Sequence, residues 1–257
     1  MTWIAWGIDQ IWWQIRAAIY GIYMVLGIIA SALVWDGGWV VARYDALLVW
    51  AVMGLGALWA LGQLRWSDGP ALAVVFALGL GLEAFKTARG AWGYPEAAVF
   101  WIGTVPVFVG FMYLAVGHYV LRVMRLKELK TTGAPPLWAA GILAVLIYGA
   151  YFAPGYWWVR PTLIGASVVL FWRMRVVSPS GSFLPLPVAL GLAAGLIWVA
   201  ENIGTATGTW AYRGQGSFEL VAWSKIPAWY LLLNLVFLVV TYGMPDASWR
   251  KEEETGL

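Results

Sequence analysis

Residues 83–94 read Glu-Ala-Phe-Lys-Thr-Ala-Arg-Gly-Ala-Trp-Gly-Tyr, and residues 201–212 read Glu-Asn-Ile-Gly-Thr-Ala-Thr-Gly-Thr-Trp-Ala-Tyr. In both stretches Gly follows the Glu by seven residues, Trp by nine and Tyr by eleven, and the second copy starts 118 residues after the first. Each copy follows a long apolar run and precedes a run with a proline, Pro106 or Pro227, which we expect to kink its helix. The matching order and flanks indicate an internal duplication.

The composition is that of an integral membrane protein. Of the 257 residues, 62% are hydrophobic and 11% are charged, with a mean hydropathy of +0.75, whereas soluble domains carry about 25% charge. The chain has no cysteine and one histidine, His118, which excludes disulfides and cysteine-ligated metals and argues against a histidine-rich metal or haem site. We therefore expect no metal and no cofactor. The net charge of +3 is spread over loops and indicates membrane topology, not nucleic-acid binding.

Eight apolar runs are long enough to cross a bilayer, which takes about 20 residues. They predict an all-α fold, a polytopic transmembrane helical bundle of about eight spans. Four spans in each copy would make the duplication a parallel 4+4 repeat, because an even number of spans returns the chain to the same side. The runs cover residues 18–35, 45–63, 70–87, 98–122, 136–154, 161–178, 184–203 and 221–243.

The chain is predicted to be a single integral membrane domain, 1–257. Residues 1–16 form an interfacial helix, 17–130 repeat one, 131–245 repeat two and 246–257 a cytoplasmic tail. Ile4, Ile8, Ile11 and Ile15 share one face of the first segment, which is typical of a helix lying in the membrane interface. The N-terminus and the loops on its side of the membrane carry ten Lys and Arg, whereas the loops on the other side carry six. This excess predicts that both termini are cytoplasmic.

Glu83 and Glu201 are the acidic residues that lie within apolar runs, a turn or less from their outer ends. Such a carboxylate costs a few kcal/mol unless it is paired, protonated or exposed to water. Pseudo-symmetry would bring the two together as a proton donor beside an ionised partner, which is the equipment of acid–base catalysis. The alternative is that each Glu holds its own loop in place.

Further residues near the two acids are predicted to bind a substrate. Lys225 would neutralise Glu201 or bind an anionic or polar substrate group, or instead extend to the membrane surface. Asn202 would orient a carboxyl or bind ligand, although helix–helix hydrogen bonding is the commoner role. Aromatic faces bind cations and polyenes but also anchor loops at the interface; the candidates are Trp92, Tyr94, Trp210 and Tyr212.

The chain also has Val105-Pro106 with Gly110-Phe-Met-Tyr113, Trp198-Val-Ala-Glu201-Asn202-Ile-Gly204-Thr, and Lys225 with Trp229-Tyr230-Leu-Leu. Together with the first motif, extended through Tyr94-Pro95-Glu96, these strings resemble the YoaT-like proteins, an uncharacterised family of bacterial integral membrane proteins. The resemblance covers about residues 40–245. It implies a multi-pass protein of the bacterial inner membrane but no particular chemistry.

The repeated motif alone also resembles the bacterial carotenoid hydratases and the heterodimer-type lycopene cyclases, in which a Glu precedes a Gly-x-aromatic-x-Tyr loop. That resemblance implies cofactor-free protonation of a terminal isoprenoid double bond, followed by capture of water or by ring closure. It makes Glu83 or Glu201 the proton donor and the other its base, with the Trp and Tyr side chains stabilising the cation.

We therefore expect a membrane-embedded, cofactor-independent acid–base enzyme that hydrates or cyclises an isoprenoid- or carotenoid-like substrate. The alternatives are a transporter, a membrane protein that binds a small molecule or lipid, and an accessory subunit of a larger membrane complex. The expected partners are the lipid bilayer and a hydrophobic small molecule, not nucleic acid. The sequence is compatible both with a homo-oligomer and with assembly into a larger membrane complex.

Overall fold

A computed structural model describes residues 2–131, 135–153, 158–216 and 219–243. These residues form nine α-helices, one 3-10 turn (Trp66–Asp68) and seven short strands. The helices are α1 (Trp3–Ala17), α2 (Ile19–Val34), α3 (Arg43–Ala60), α4 (Gly69–Ala88), α5 (Phe108–Leu126), α6 (Leu137–Phe152), α7 (Arg160–Phe171), α8 (Leu186–Ala206) and α9 (Lys225–Gly243). The strands are β1 (Trp92–Gly93), β2 (Trp101–Ile102), β3 (Val105–Pro106), β4 (Glu128–Thr131), β5 (Met174–Val177), β6 (Phe183–Pro185) and β7 (Ala211–Tyr212).

Each of the eight apolar runs contains one helix, α2 to α9 in order. The described residues are mostly helical, as predicted, and the long apolar helices indicate membrane association. Prolines start several of these helices, because the first turn leaves its N–H groups unbonded and loses nothing when one is missing. Pro70, Pro161 and Pro187 occupy such positions in α4, α7 and α8.

The expected kinks at the two flanking prolines are not found, because both prolines lie where a ring is tolerated. Pro106 belongs to the β2–β3 hairpin, two residues before α5 begins, so the first part of the run 98–122 is not helical. Pro227 is the third residue of α9. Proline breaks a helix only in its interior, where it removes a hydrogen bond and clashes with the preceding turn.

Only some of the eight predicted spans have the length and hydropathy that a crossing helix needs. Within the described ranges, three helices are long and apolar enough to cross a membrane: Trp66–Ala88, Leu186–Ala206 and Lys225–Gly243. A fourth is obtained if α1 and α2, which are bent by 69°, count as one span. The other helices are short or charged. The 12 residues of α7 extend about 18 Å at 1.5 Å per residue, and α5 carries Arg122 and Arg125 in its last turns.

Helix α9 is the centre of the bundle and packs against α4, α5, α6, α7 and α8. Its residues Leu231, Leu233 and Val240 are completely buried. A helix that is apolar all round is stable only when neighbours surround it. The N-terminus of α9 is therefore held at a fixed place beside the ends of α4 and α8, where the repeated motifs lie.

At the other end of the bundle, α1 is fastened to a three-stranded sheet of order β4-β5-β6. The Asp9 carboxylate accepts hydrogen bonds from Ser178, Ser180 and Ser182 in the β5–β6 turn, at 2.9, 2.7 and 2.6 Å. The opposite face of α1 carries the four isoleucines, which are all exposed. The polar face thus points into the protein and the apolar face outward, as an interfacial helix requires. Its position in the interface stays a prediction.

The predicted limits of the two repeats also stay predictions. Residues 246–257, predicted to be a cytoplasmic tail, lie outside the described residues.

Candidate functional site

Helices α4 and α8 end with the same backbone conformation. Gly90 and Gly208, the seventh residues after the two acids, have φ angles of +68° and +66°. The Gly90 N–H donates to the Thr87 carbonyl and the Gly208 N–H to the Thr205 carbonyl, at 2.9 and 3.1 Å. Glycine adopts a positive φ at little cost, which explains why each motif needs it where the helix stops. Thr87 and Thr205, each four residues after its Glu, are a further identity between the two motifs that the sequence shows.

The segments that follow these two helix ends pair with each other as the antiparallel strands β1 and β7. Trp92 lies opposite Tyr212, and Gly93 lies opposite Ala211. Gly93 and Ala211 both stand ten residues after their acid, so the ribbon is centred on equivalent positions of the two motifs. An antiparallel pair centred in this way has a local two-fold axis. The pairing brings both motifs to one place.

Three aromatic side chains donate hydrogen bonds to the Glu83 carboxylate, which is 6% exposed. The indole Nε1 of Trp92 and the hydroxyl of Tyr94 donate to Oε2 at 2.6 and 2.8 Å. The hydroxyl of Tyr113, in α5, donates to Oε1 at 2.7 Å. A carboxylate offers about four lone-pair sites, so Glu83 is almost saturated as an acceptor.

Two aromatic side chains donate to Glu201, which is 7% exposed. The Tyr212 hydroxyl donates to Oε1, and the Trp229 indole Nε1, in the first turns of α9, donates to Oε2 at 2.6 Å. A carboxylate offers about four lone-pair sites. With two hydrogen bonds instead of three, Glu201 retains more capacity than Glu83 to accept a proton or a further hydrogen bond.

The donors of one carboxylate contact the donors of the other. The Trp92 and Tyr212 rings lie with their centroids 5.7 Å apart, and the Tyr113 and Trp229 rings 6.5 Å apart. Glu83 and Glu201 therefore belong to one site, which we call the carboxylate pair.

The ammonium group of Lys225 lies over two of these rings. Its Nζ is 4.0 Å from the centroid of Tyr212 and 5.2 Å from that of Trp92. The lysine also interacts electrostatically with both Glu201 and Glu83. Cations are attracted to electron-rich ring faces, and here each ring donates its polar hydrogen to a buried carboxylate. A role of Lys225 in binding a substrate group stays a prediction.

The two loop tyrosines remain neutral donors. Burial raises the pKa of the Tyr94 hydroxyl well above its usual value, and the negative Glu83 that accepts its hydrogen bond raises the pKa further. Burial and the Glu201 carboxylate raise the pKa of Tyr212 in the same way. A phenol in such surroundings keeps its proton, because ionisation would place a second negative charge beside the first.

A family model and a protein of known sequence match most of this chain. The family model described as "Protein of unknown function (DUF817)" matches residues 8–237. The chain belongs to the DUF817 family. "Uncharacterized protein YoaT" of Bacillus subtilis (strain 168) is 35% identical over 209 aligned positions, and the match covers 77% of this chain and 77% of that protein. No solved structure matches the chain.

The match to this family confirms the resemblance to the YoaT-like proteins and includes every residue of the carboxylate pair and its donors. The resemblance to carotenoid hydratases and lycopene cyclases is not shown by these comparisons. Among the described residues of this DUF817 protein, no group of three or more His, Asp or Glu side chains could hold a metal ion.

Two of the predicted substrate-binding residues make other contacts in this DUF817 protein. The Asn202 amide donates to the Trp198 carbonyl at 2.7 Å and accepts from the Val221 N–H at 2.9 Å. Trp210 is buried and packs its ring against Gly204 of α8. Asn202 thus fixes the segment before α9, and Trp210 fixes its own loop. A direct role of either in binding substrate stays a prediction.

The packing of Trp210 leads to a stability prediction for Gly204. A Cβ added at Gly204 would lie 2.0 Å from two atoms of the Trp210 ring, and a buried ring has little room to move. We expect Gly204→Ala to lower the free energy of unfolding by about 1–3 kcal/mol, measured by denaturation in detergent. Gly195→Ala, in the same helix, meets no atom within 4 Å and should be neutral or stabilising. Equal stabilities for both variants would contradict the packing.

The sequence reasoning missed Arg43, which joins the two motif loops in this family member. The side chain is 5% exposed and lies at the start of α3. One guanidinium nitrogen forms an ion pair with Glu96, just after the first motif, at 2.5 Å. Another donates to the Thr209 hydroxyl, in the second motif, at 2.7 Å. An arginine fork suits such bridging because its donors have a fixed geometry.

The two residues after Arg43 strengthen the same junction. The Tyr44 hydroxyl donates to the Thr209 carbonyl at 2.7 Å. The Asp45 carboxylate accepts from the backbone N–H groups of Val99 and Phe100 at 2.8 and 3.1 Å. The sequence does indicate this junction through the triplet Arg-Tyr-Asp at the start of an otherwise apolar run. Charged side chains at such a position cost free energy unless they form hydrogen bonds or ion pairs.

Proposed function

We propose that this DUF817 protein is a membrane-embedded, cofactor-independent acid–base enzyme that acts on an isoprenoid- or carotenoid-like substrate by hydration or cyclisation. The observation that carries the proposal is the union of two buried carboxylates in one site through the pairing of β1 and β7. Ionisable groups buried in apolar helices are expensive and mark functional sites. Neutral aromatic donors surround both acids, and their ring faces suit a hydrophobic or cationic species.

The different hydrogen bonding of the two acids suggests their roles. Glu83 accepts three hydrogen bonds and is best suited to remain a fixed negative charge. Glu201 accepts two and is best suited to exchange a proton. In a hydration, protonated Glu201 would transfer its proton to an alkene carbon. Water would then bond to the resulting carbocation, and its released proton would return to the Glu201 carboxylate.

The same proposal has α2 to α9 as eight crossing helices of the bacterial inner membrane, in a parallel 4+4 repeat with cytoplasmic termini. Support comes from the one helix in each apolar run, the equal ends of α4 and α8, and the ribbon centred on equivalent residues. The short helices would then be accommodated by local thinning of the bilayer or by extended flanking residues.

The function is tested by expressing the protein in a bacterial host that accumulates lycopene and neurosporene. We expect liquid chromatography with mass spectrometry of the isoprenoids, both pigments and polar species, to show a new product with the wild type. Glu201→Gln should reduce the product by at least about 100-fold, because general acid–base groups contribute about that much or more. Glu219→Gln, at an exposed glutamate of the following loop, should leave the product unchanged.

The amount of folded protein in the membrane is measured for each variant, so that lost expression is not taken for lost activity. An isoprenoid profile that the wild type leaves unchanged would refute the enzyme, and so would full activity in Glu201→Gln.

A proton-coupled carrier is the second candidate, and the position of Lys225 favours it. A lysine that interacts with both carboxylates can exchange charge partners when either acid takes up a proton. Solute flux in proteoliposomes that follows a pH gradient and depends on Glu201, without any new product, would favour the carrier over the enzyme.

A further inference from the structure

The segment that leads into α9 is fastened to α8 at one residue, Val221, which is 2% exposed. Its backbone N–H donates to Oδ1 of Asn202, and its carbonyl accepts from Nε1 of Trp198, both at 2.9 Å. The Asn202 amide nitrogen also donates to the Trp198 carbonyl at 2.7 Å. Trp198 and Asn202 are four residues apart, so they lie on one face of α8. We call these three residues the Val221 anchor.

The Val221 anchor lies directly before the start of α9. The Trp223 ring stacks on the Trp198 ring, with the centroids 4.1 Å apart and the planes inclined by 19°. The backbone then turns into the helix, because the Lys225 N–H donates to the Ala222 carbonyl at 2.9 Å. Since the anchored residue is only four positions before Lys225, its placement determines where the first turn of α9 lies.

The first turns of α9 carry two side chains that surround the acid of the second motif. The Trp229 indole Nε1 donates to Glu201 Oε2 at 2.6 Å. The Lys225 Nζ lies 4.0 Å from the ring centroid of Tyr212, whose hydroxyl also donates to Glu201. Glu201 and Asn202 are neighbours in α8. Helix α8 therefore holds the backbone before α9 with one residue and accepts the indole from α9 with the residue next to it.

Apolar packing alone does not set the contact between Trp229 and Glu201. The buried Leu231 and Leu233 hold the later turns of α9, but apolar contact is non-directional, and helix ends open more readily than helix centres. Hydrogen bonds are directional, so two of them to one residue fix both its position and its orientation. A functional group must be held within about 0.5 Å of its working geometry, which the Val221 anchor supplies beside the acid.

The two copies of the motif differ at this anchor. The residues that correspond to Trp198 and Asn202, 118 positions earlier, are Leu80 and Ala84, whose side chains have no hydrogen-bonding atom. The segment before α5 is held by Asp45 of α3 instead. A fastening that served only to close a loop onto its own helix would be expected in both copies. Its presence in the second copy alone agrees with different roles of the two acids.

We propose that Trp198 and Asn202 are positioning residues of the carboxylate pair, which act through Val221 to keep the Trp229 indole on Glu201. In this role neither side chain has to touch the substrate. They hold a donor to the acid in place while the proton leaves and returns. The inference rests on the proposed function for its effect on the reaction, whereas the effect on the hydrogen bond of Trp229 can be measured without any reaction.

The test is the NMR spectrum of the tryptophan indole N–H groups in the full-length, isotope-labelled protein in detergent, where Trp229→Phe assigns the Trp229 signal. Asn202→Leu and Trp198→Phe remove hydrogen bonds of the anchor and keep an apolar side chain. Each should move the Trp229 proton signal upfield, because a weaker hydrogen bond deshields the proton less. Each should also speed its exchange with solvent about tenfold, as expected for the loss of one hydrogen bond. Trp101→Phe is the matched control, since it removes an indole hydrogen bond to the Ala98 carbonyl before α5 and should leave the Trp229 signal unchanged.

The two anchor variants should also reduce the product of the proposed reaction at least about tenfold per folded protein, because small misplacements near a reacting group are costly. If Trp198→Phe does not fold, Asn202→Leu gives the same test. Unaltered Trp229 signals would overturn the inference, and so would an equal change in Trp101→Phe or full product formation despite a moved signal. If the signal moves while the wild type forms no product, the anchoring of Trp229 is supported and only the proposed enzyme is refuted.

Discussion

Replacement of Glu83 by leucine is expected to lower the free energy of unfolding by about 3–6 kcal/mol. Trp92, Tyr94 and Tyr113 all donate to this carboxylate. Without it, three polar hydrogens remain in an apolar environment, each at about 1–3 kcal/mol. Leucine is similar in size and more apolar than the carboxylate, which offsets a part of this loss. Because the three donors are left unsatisfied, we nevertheless expect the net change to be destabilising.

The measurement is reversible unfolding in detergent or bicelles, with Glu219→Leu as the control. Glu219 is exposed and accepts one hydrogen bond from the Gly216 N–H, so its replacement should change stability by less than about 1 kcal/mol. Should Glu83→Leu prove as stable as the wild type, the three donors must have found other acceptors. The carboxylate would then not be what organises the site.

Replacement of Arg43 by methionine is expected to lower the free energy of unfolding by about 3 kcal/mol. Removal of one partner from a buried ion pair costs about 3–5 kcal/mol. The lower end applies here, because Glu96 is 35% exposed and can be solvated in part. Methionine fills the space of the arginine stem, so the loss reflects the polar contacts to Glu96, Ser31 and Thr209.

Arg213→Met is the matched control, since Arg213 is exposed in the turn directly after β7 and its loss changes the net charge equally. Arg43→Met should also lower the amount of product that the proposed enzyme forms, because the arginine holds the two motif loops together, whereas Arg213→Met should not. Identical unfolding curves for the two variants would show that Arg43 does not join the loops.

The repeated motif allowed the meeting of Glu83 and Glu201 to be predicted, because its glycines, aromatic residues and spacing are local features. The helices were predictable for the same reason, since each apolar run has the length and periodicity of one helix. The bounds of the helices were not. Hydropathy alone does not show that residues 101–106 form a hairpin, or that α7 has only 12 residues.

The partners of the two acids were only partly predictable. Tyr94 and Tyr212, which were predicted to bind a substrate, each donate to the Glu of their own motif, as the alternative that each Glu holds its own loop implies. Tyr113 and Trp229 complete the acceptor shells from α5 and α9, a contact between distant segments that no local pattern reveals. Trp210 shows the converse, because it has the spacing of Trp92 but packs against Gly204.

The separation of the donors by sequence has a consequence for biosynthesis. Every donor to Glu83 lies before residue 131 and every donor to Glu201 after it, among the contacts of the described residues. An acid that enters a bilayer without a partner costs several kcal/mol. The donors to each acid are therefore available within its own half of the chain while the ribosome is still translating. The pairing of β1 with β7 can then follow as a last docking step, in which neither carboxylate has to wait for a donor from the other half.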